Sequence, residues 1–119
     1  MTNKMLDTAL GRTEAQIQAR VIEAAEIGGW LVYHTYDSRR SNKGFPDLVL
    51  VRPPQVIFAE LKGPDGRVTP EQQKWIEQLE GCTMVTAAVV GPEQSDALMK
   101  HLLSRRPSVI EQLRQVRRG

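Results

Sequence analysis

The chain has 119 residues, 40% of them hydrophobic and 25% charged, and a formal net charge of +2. That length fits one domain with a modest core, and the composition is that of an ordinary globular protein, not a disordered, fibrous or membrane-embedded one. No apolar run approaches the roughly 20 residues of a membrane span. The first dozen residues, MTNKMLDTALGR, lack the apolar centre of a signal peptide. Cys82 is the single cysteine, so no internal disulfide can form. The expectation is a cytoplasmic protein in which Cys82 is a small buried apolar residue.

In chain order, residues 1–12 read as a loose N-terminal arm. Thr13 caps a helix, with Gln16 in the capping-box position, Ile17, Val21 and Ala24 as its inward stripe, and Gly28-Gly29 as its stop. The aromatic and β-branched run WLVYHTY (30–36) reads as a strand, and the polar DSRRSNKG that follows reads as a loop. Two apolar segments come next, strands near 47–52 and 55–62, joined at Arg52-Pro53-Pro54-Gln55 as a hairpin. Both are apolar on both faces for most of their length, which predicts helices on both sides of the sheet. Thr69, Pro70 and Gln72 open a second helix that runs to about Glu80, with Trp75, Ile76 and Leu79 inward. A strand at 83–90 and a helix at about 92–104 complete the domain. The order is α-β-β-β-α-β-α: an α/β domain with a mixed sheet flanked by helices, since a helix between the third and fourth strands permits a parallel crossover. Residues 105–119 form a basic amphipathic extension, with Val109, Ile110, Leu113 and Val116 on one side as a surface for self-association or for packing on the domain.

The chemistry concentrates in GFPDLVLV (44–51) and VIFAELKG (56–63). Side chains alternate along a strand, so Val56, Phe58, Glu60 and Lys62 share one side and Ile57, Ala59 and Leu61 the other. Glu60 and Lys62 therefore leave the same face at the polar end of an apolar strand, and Asp47 opens the strand before it. Two carboxylates meeting at a sheet edge can hold a divalent cation, and a lysine beside them can meet a phosphate. The bland reading is a surface ion pair at a strand end. Glu14 and Gln72 each stand in the first turn of a helix on its inward stripe. Either capping satisfies them or they border a polar site, and periodicity alone does not choose. Arg39, Arg40 and Lys43 lie in the loop leading to Asp47, placed to grip a phosphate backbone. His34 reads as a packing residue and His101 as solvent-facing. Neither has the spacing of a zinc ligand. Aromatic content of 5% leaves little for stacking bases, which favours duplex or branched DNA over single strands.

GFPDLVLV followed by FAELKGPDGRVTPEQ (58–72) resembles the VRR-NUC family of the PD-(D/E)XK nuclease superfamily. Four linked motifs carry the likeness from Thr13-Glu14 to about Val90: Thr-Glu, Gly-x-Pro-Asp-Leu, Glu-Leu-Lys and Thr-Pro-x-Gln. The resemblance implies a restriction-endonuclease-like core of order α-β-β-β-α-β over residues 13–104, of the compact, stand-alone kind suited to a phage. It implies that Asp47 and Glu60 bind the metal, with the Leu61 carbonyl as a further ligand and Glu14 as a possible one. Lys62 matches the catalytic lysine, and Gln72 and Glu14 match residues that accompany it. The expected cofactor is Mg2+, with Mn2+ as a substitute, and the expected reaction is hydrolysis of phosphodiester bonds in structured DNA such as junctions or flaps. A homodimer would let one site per chain cut both strands. The competing reading is a non-catalytic DNA-binding module on a nuclease scaffold.

Overall fold

The structure, a computed structural model, describes residues 3–35 and 42–105. Its elements are α1 (Asn3–Ala9), α2 (Glu14–Ile27), β1 (Leu31–His34), β2 (Leu48–Arg52), β3 (Gln55–Leu61), α3 (Pro70–Glu80), β4 (Val85–Val90) and α4 (Pro92–Leu102). From α2 onward this is the order expected from periodicity. The strands form one mixed sheet in the order β1-β2-β3-β4. The first three pair antiparallel, and β3 pairs parallel with β4. The parallel pair requires a crossover, and α3 supplies it.

Both principal caps form as expected. Thr13 and Gln16 close a capping box on α2, and Thr69 and Gln72 close one on α3, where Pro70 occupies the first turn. One face of the sheet presents Leu48, Leu50, Ile57, Ala59, Leu61 and Val90 to Ile17, Val21 and Ala25 of α2 and Leu102 of α4, all buried. Each fully buried leucine or isoleucine here contributes about 1.5–3 kcal/mol. The other face is covered mainly over β3 and β4 by α3, whose Ile76 is buried.

At the end of the sheet away from Asp47, Arg52 is only 7% exposed. Its Nη1 donates to the carbonyls of Gly28 at 3.0 Å and Ser104 at 3.1 Å, and its guanidinium lies 4.5 Å from the centre of the Trp30 ring. Those carbonyls follow the C-terminal ends of α2 and α4, where unpaired acceptors and the helix dipoles favour a cation. Trp30 Nε1 donates to the Leu102 carbonyl at 2.9 Å, closing the same knot.

Several expectations change. Residues 3–9 are helical instead of a loose arm, although the helix buries no residue and so has no inward stripe to announce it. It is tied to the body by Gln16 Nε2, which donates to the Thr8 carbonyl at 2.9 Å. Cys82 is exposed, because it falls in the turn after α3 and not on a strand or helix face. Trp75 and Leu79 are half-buried, so α3 rests on the sheet chiefly through Ile76. The fourth strand starts at Val85, after Met84 adopts a left-handed φ of 69°. His101 is exposed as expected, yet its Nε2 lies 2.7 Å from Gln55 Oε1. Arg39, Arg40 and the tail from 106 onward, with its proposed self-association face, lie outside the described residues.

Candidate active site

In the β2–β3 ladder Leu48 faces Ala59. One further step in that register sets Asp47 across from Glu60, at the rim where β3 gives way to Lys62. Asp47 Oδ2 accepts a hydrogen bond from the Leu61 backbone N–H at 2.9 Å, which turns its carboxylate toward β3. The Asp47 carbonyl accepts from Thr35 N–H at 3.0 Å, so the end of β1 also holds this corner. Lys62 N–H donates to the Val90 carbonyl at 3.0 Å, carrying the parallel pairing one residue past the strand and fixing the lysine's origin.

Glu60 is 2% exposed. Its Oε1 accepts from Gln72 Nε2 at 2.9 Å and lies 3.7 Å from Lys62 Nζ. Its Oε2 is buried and meets no N–H or O–H donor. Burial pushes the Glu60 carboxyl up from its ordinary 4.5 to about 8, the negative charge of Asp47 and a hydrogen bond that the protonated acid shares with it add to the effect, and Lys62 opposes it. The Glu14 carboxyl is also raised, first by loss of surrounding water and then by Asp47, while Lys62 again pulls the other way. Asp47, Glu60, Lys62 and Glu14 thus share one electrostatic neighbourhood.

Gln72 resolves the choice between cap and site by filling both roles. Its Oε1 accepts from Thr69 N–H at 2.9 Å within the capping box, while its Nε2 reaches Glu60. Glu14 is not a cap, since Thr13 and Gln16 close the box on α2. It stands beside the site because Gly63 approaches α2 closely. A Cβ on Gly63 would lie 3.2 Å from the Glu14 backbone nitrogen.

Gly44 holds the other side. Its φ is +88°, and a Cβ there would lie 2.4 Å from the Glu71 carbonyl carbon and 2.7 Å from Gln72 N. Only glycine permits both the conformation and the approach. Phe45 meets Trp75 edge-on at 5.2 Å and Phe58 at 6.1 Å, and Trp75 Nε1 donates to the Lys43 carbonyl at 3.2 Å. These contacts lock the segment before Asp47 onto the first turns of α3, so Asp47 and Gln72 are positioned by one joint. The positioning roles of Gly44, Gly63 and Phe45 escape a reading of charged residues. The available signal was glycine directly before Phe-Pro-Asp.

Among the described residues, no three His, Cys, Asp or Glu side chains close into a metal cage made by protein alone. Mg2+ does not need one, because it retains waters and binds through one or two carboxylates and substrate phosphate oxygens. The partnerless buried oxygen of Glu60, beside a second carboxylate, is the kind of acceptor a hard cation satisfies. The residues present therefore fit such an ion.

A mixed four-stranded sheet between helices, with an acid, an acid and a lysine gathered at one rim, is a restriction-endonuclease-like fold. The VRR-NUC domain family model matches residues 3–93. The chain belongs to that family, a nuclease-type domain. A solved structure described as a VRR_NUC domain superposes with a TM-score of 0.59 at 26% identity, covering 74% of this chain and 95% of that one. No curated protein matches the chain. No described helix is long and apolar enough to cross a membrane.

Proposed function

We propose that the protein is a divalent-metal-dependent endonuclease that hydrolyses phosphodiester bonds in DNA, with structured or branched DNA as its substrate. The observation that carries this is the buried Glu60 Oε2, which meets no donor, on a carboxyl that has Asp47 and Lys62 as its charged neighbours. Asp47 and Glu60 would hold Mg2+, or Mn2+ in its place, with the Leu61 carbonyl and Glu14 as further candidate ligands. When bound, such an ion supplies charge for the scissile phosphate and acidifies a water. Asp47 is oriented for this by Leu61 N–H, and Glu60 by Gln72. Lys62, 15% exposed along its side chain, can place its ammonium on a phosphate oxygen or orient the attacking water as negative charge develops. An electrostatic role suits it better than that of a literal general base, because its Nζ stands at the same rim as the two carboxylates, 3.7 Å from Glu60 Oε1, where negative charge would gather. Lys43, which is exposed, would contact the phosphate backbone, as would Arg39 and Arg40, which precede it in sequence.

The test is incubation with linear, flapped and four-way DNA in Mg2+, Mn2+, Ca2+ or EDTA. Cutting is expected with Mg2+ or Mn2+ only. Asp47→Ala and Glu60→Ala should abolish cutting while DNA is still bound, and Lys62→Ala should remove most turnover with little change in affinity. DNA binding without cutting, under every metal condition, would instead establish the non-catalytic module.

A homodimer in a cytoplasmic setting completes the proposal. Leu31 and Tyr33 on edge strand β1 are 75% and 58% exposed, and they pair with Val51 and Val49 to make an apolar strip. A second copy covering that strip would relieve its exposure. Light scattering should show a dimer that Leu31→Glu/Tyr33→Glu converts to a monomer. A wild-type monomer at micromolar concentration would remove this part.

A further inference from the structure

Next to Gln72, α3 presents Glu71, Lys74, Trp75 and Gln78 as a single face, at spacings of three and four residues. Asn42 and Lys43 stand opposite, and together these six residues line a groove of about 380 Å3. That volume is within the range of small-molecule sites, which starts near 300 Å3. The groove and the carboxylates are built on the same joint. Gly44 seats the loop against Glu71 and Gln72, Gln72 turns its amide to Glu60, and Trp75 anchors its Nε1 on the Lys43 carbonyl. The Trp75 ring remains half-buried, and two lysines against one glutamate give the groove a positive balance.

We infer that this groove takes one unpaired nucleotide of the substrate beside the scissile phosphate, its base stacked on Trp75 and its flanking phosphates met by Lys43 and Lys74. The inference deepens the nuclease reading and rests on it for the identity of the polymer. A groove lined by one aromatic side chain and two lysines offers a stacking face for a base and charge for its flanking phosphates. A base inside an intact duplex already has both faces stacked and cannot enter, so occupancy requires a flap, gap or junction arm. The substrate would then be distinguished by an unpaired nucleotide at the branch and not by base sequence.

The experiment measures binding, so that it does not depend on cleavage. A labelled duplex bearing a single-stranded flap and the same duplex fully paired are titrated with full-length protein, in Ca2+ and separately in EDTA, and followed by anisotropy. The wild type should prefer the flapped DNA. Trp75→Ala should weaken flap binding by roughly 5- to 100-fold, the effect of losing one stacked base, and weaken paired-duplex binding several-fold less, since there only the anchor of the Lys43 loop is lost. Trp75→Phe keeps an aromatic face but loses the bond to Lys43, and should retain most of the preference. Lys74→Ala should lower the salt dependence of flap binding by about one phosphate contact.

Equal wild-type affinity for the two DNAs, no binding to either, or a preference that survives Trp75→Ala would each overturn the inference. So would Trp75→Phe failing as badly as Trp75→Ala, since the indole would then serve only to anchor the loop. Circular dichroism of both variants separates loss of fold from loss of binding. Flap preference through Trp75 in a protein that never cuts would sink the nuclease reading alone. Cutting of both DNAs that ignores Trp75 would sink the groove alone.

Discussion

Glu60 is held where its own charge is unwelcome unless a cation accompanies it. Its carboxyl titrates near 8 in the folded chain against an ordinary value of 4.5. An acid whose pKa is raised by folding contributes stability that is fully present below the unfolded value and is lost as pH rises toward the folded one. Metal-free protein should therefore lose thermal stability between about pH 4.5 and pH 8, and added Mg2+ should restore it at the upper end. Glu60→Gln makes the same point from the other side. The amide imitates the protonated acid and can donate to Asp47. The variant should match the wild type near pH 4.5, gain on it up to about pH 8, and level off above, while its cutting is abolished. Melting curves at several pH values, with and without metal, check this. A constant gap at all pH values would show that Glu60 is not the titrating group.

Among the elements, α3 has the most to do, since its first turn is at once cap, support for Glu60 and groove wall. Gly44→Ala tests this joint. A methyl group at a φ of +88°, 2.4 Å from the Glu71 carbonyl carbon, must push the loop and α3 apart. The expected cost is about 2–4 kcal/mol in urea denaturation, with a larger proportional loss of cutting, because Gln72 moves away from Glu60. Retained activity at reduced stability would separate the joint from the site. The same helix marks the limit of what its sequence discloses. The Thr-Pro-x-Gln start, the run to Glu80 and the strand alternation of Glu60 and Lys62 were legible because capping and periodicity are local. That Gln72 would both cap and reach Glu60 was not, since it depends on how closely Gly44 lets the loop approach. Trp75 misled for a related reason. An aromatic on the apolar stripe reads as core, but α3 leans on the sheet through Ile76 and leaves the indole at the groove.

At the scale of the molecule, the two ends of the sheet have separate duties. The rim with Asp47 gathers negative charge, and the opposite end is fastened by Arg52, a residue that hydropathy alone would place in water. Its two carbonyl partners come from segments far apart in sequence, so nothing local reveals the bond. Arg52→Met should destabilise the fold by about 2–4 kcal/mol through two lost charge-assisted hydrogen bonds and the Trp30 contact, yet leave DNA affinity unchanged at temperatures where the variant is folded. The sheet's connectivity also has a bearing on how the chain comes together. The bond between Asp47 and Leu61 closes across 14 residues within a hairpin, whereas β4 must wait for the crossover. If short-range pairing precedes the crossover, as low contact order favours, the two acids would confront one another on a nascent ribbon before α3 or β4 arrives. Pulse-labelled hydrogen exchange should find β2 and β3 amides protected ahead of those in β4, and Mg2+ in the refolding buffer should hasten that early step. An ion captured so soon would be built into the domain as it closes, with no gate to open afterward.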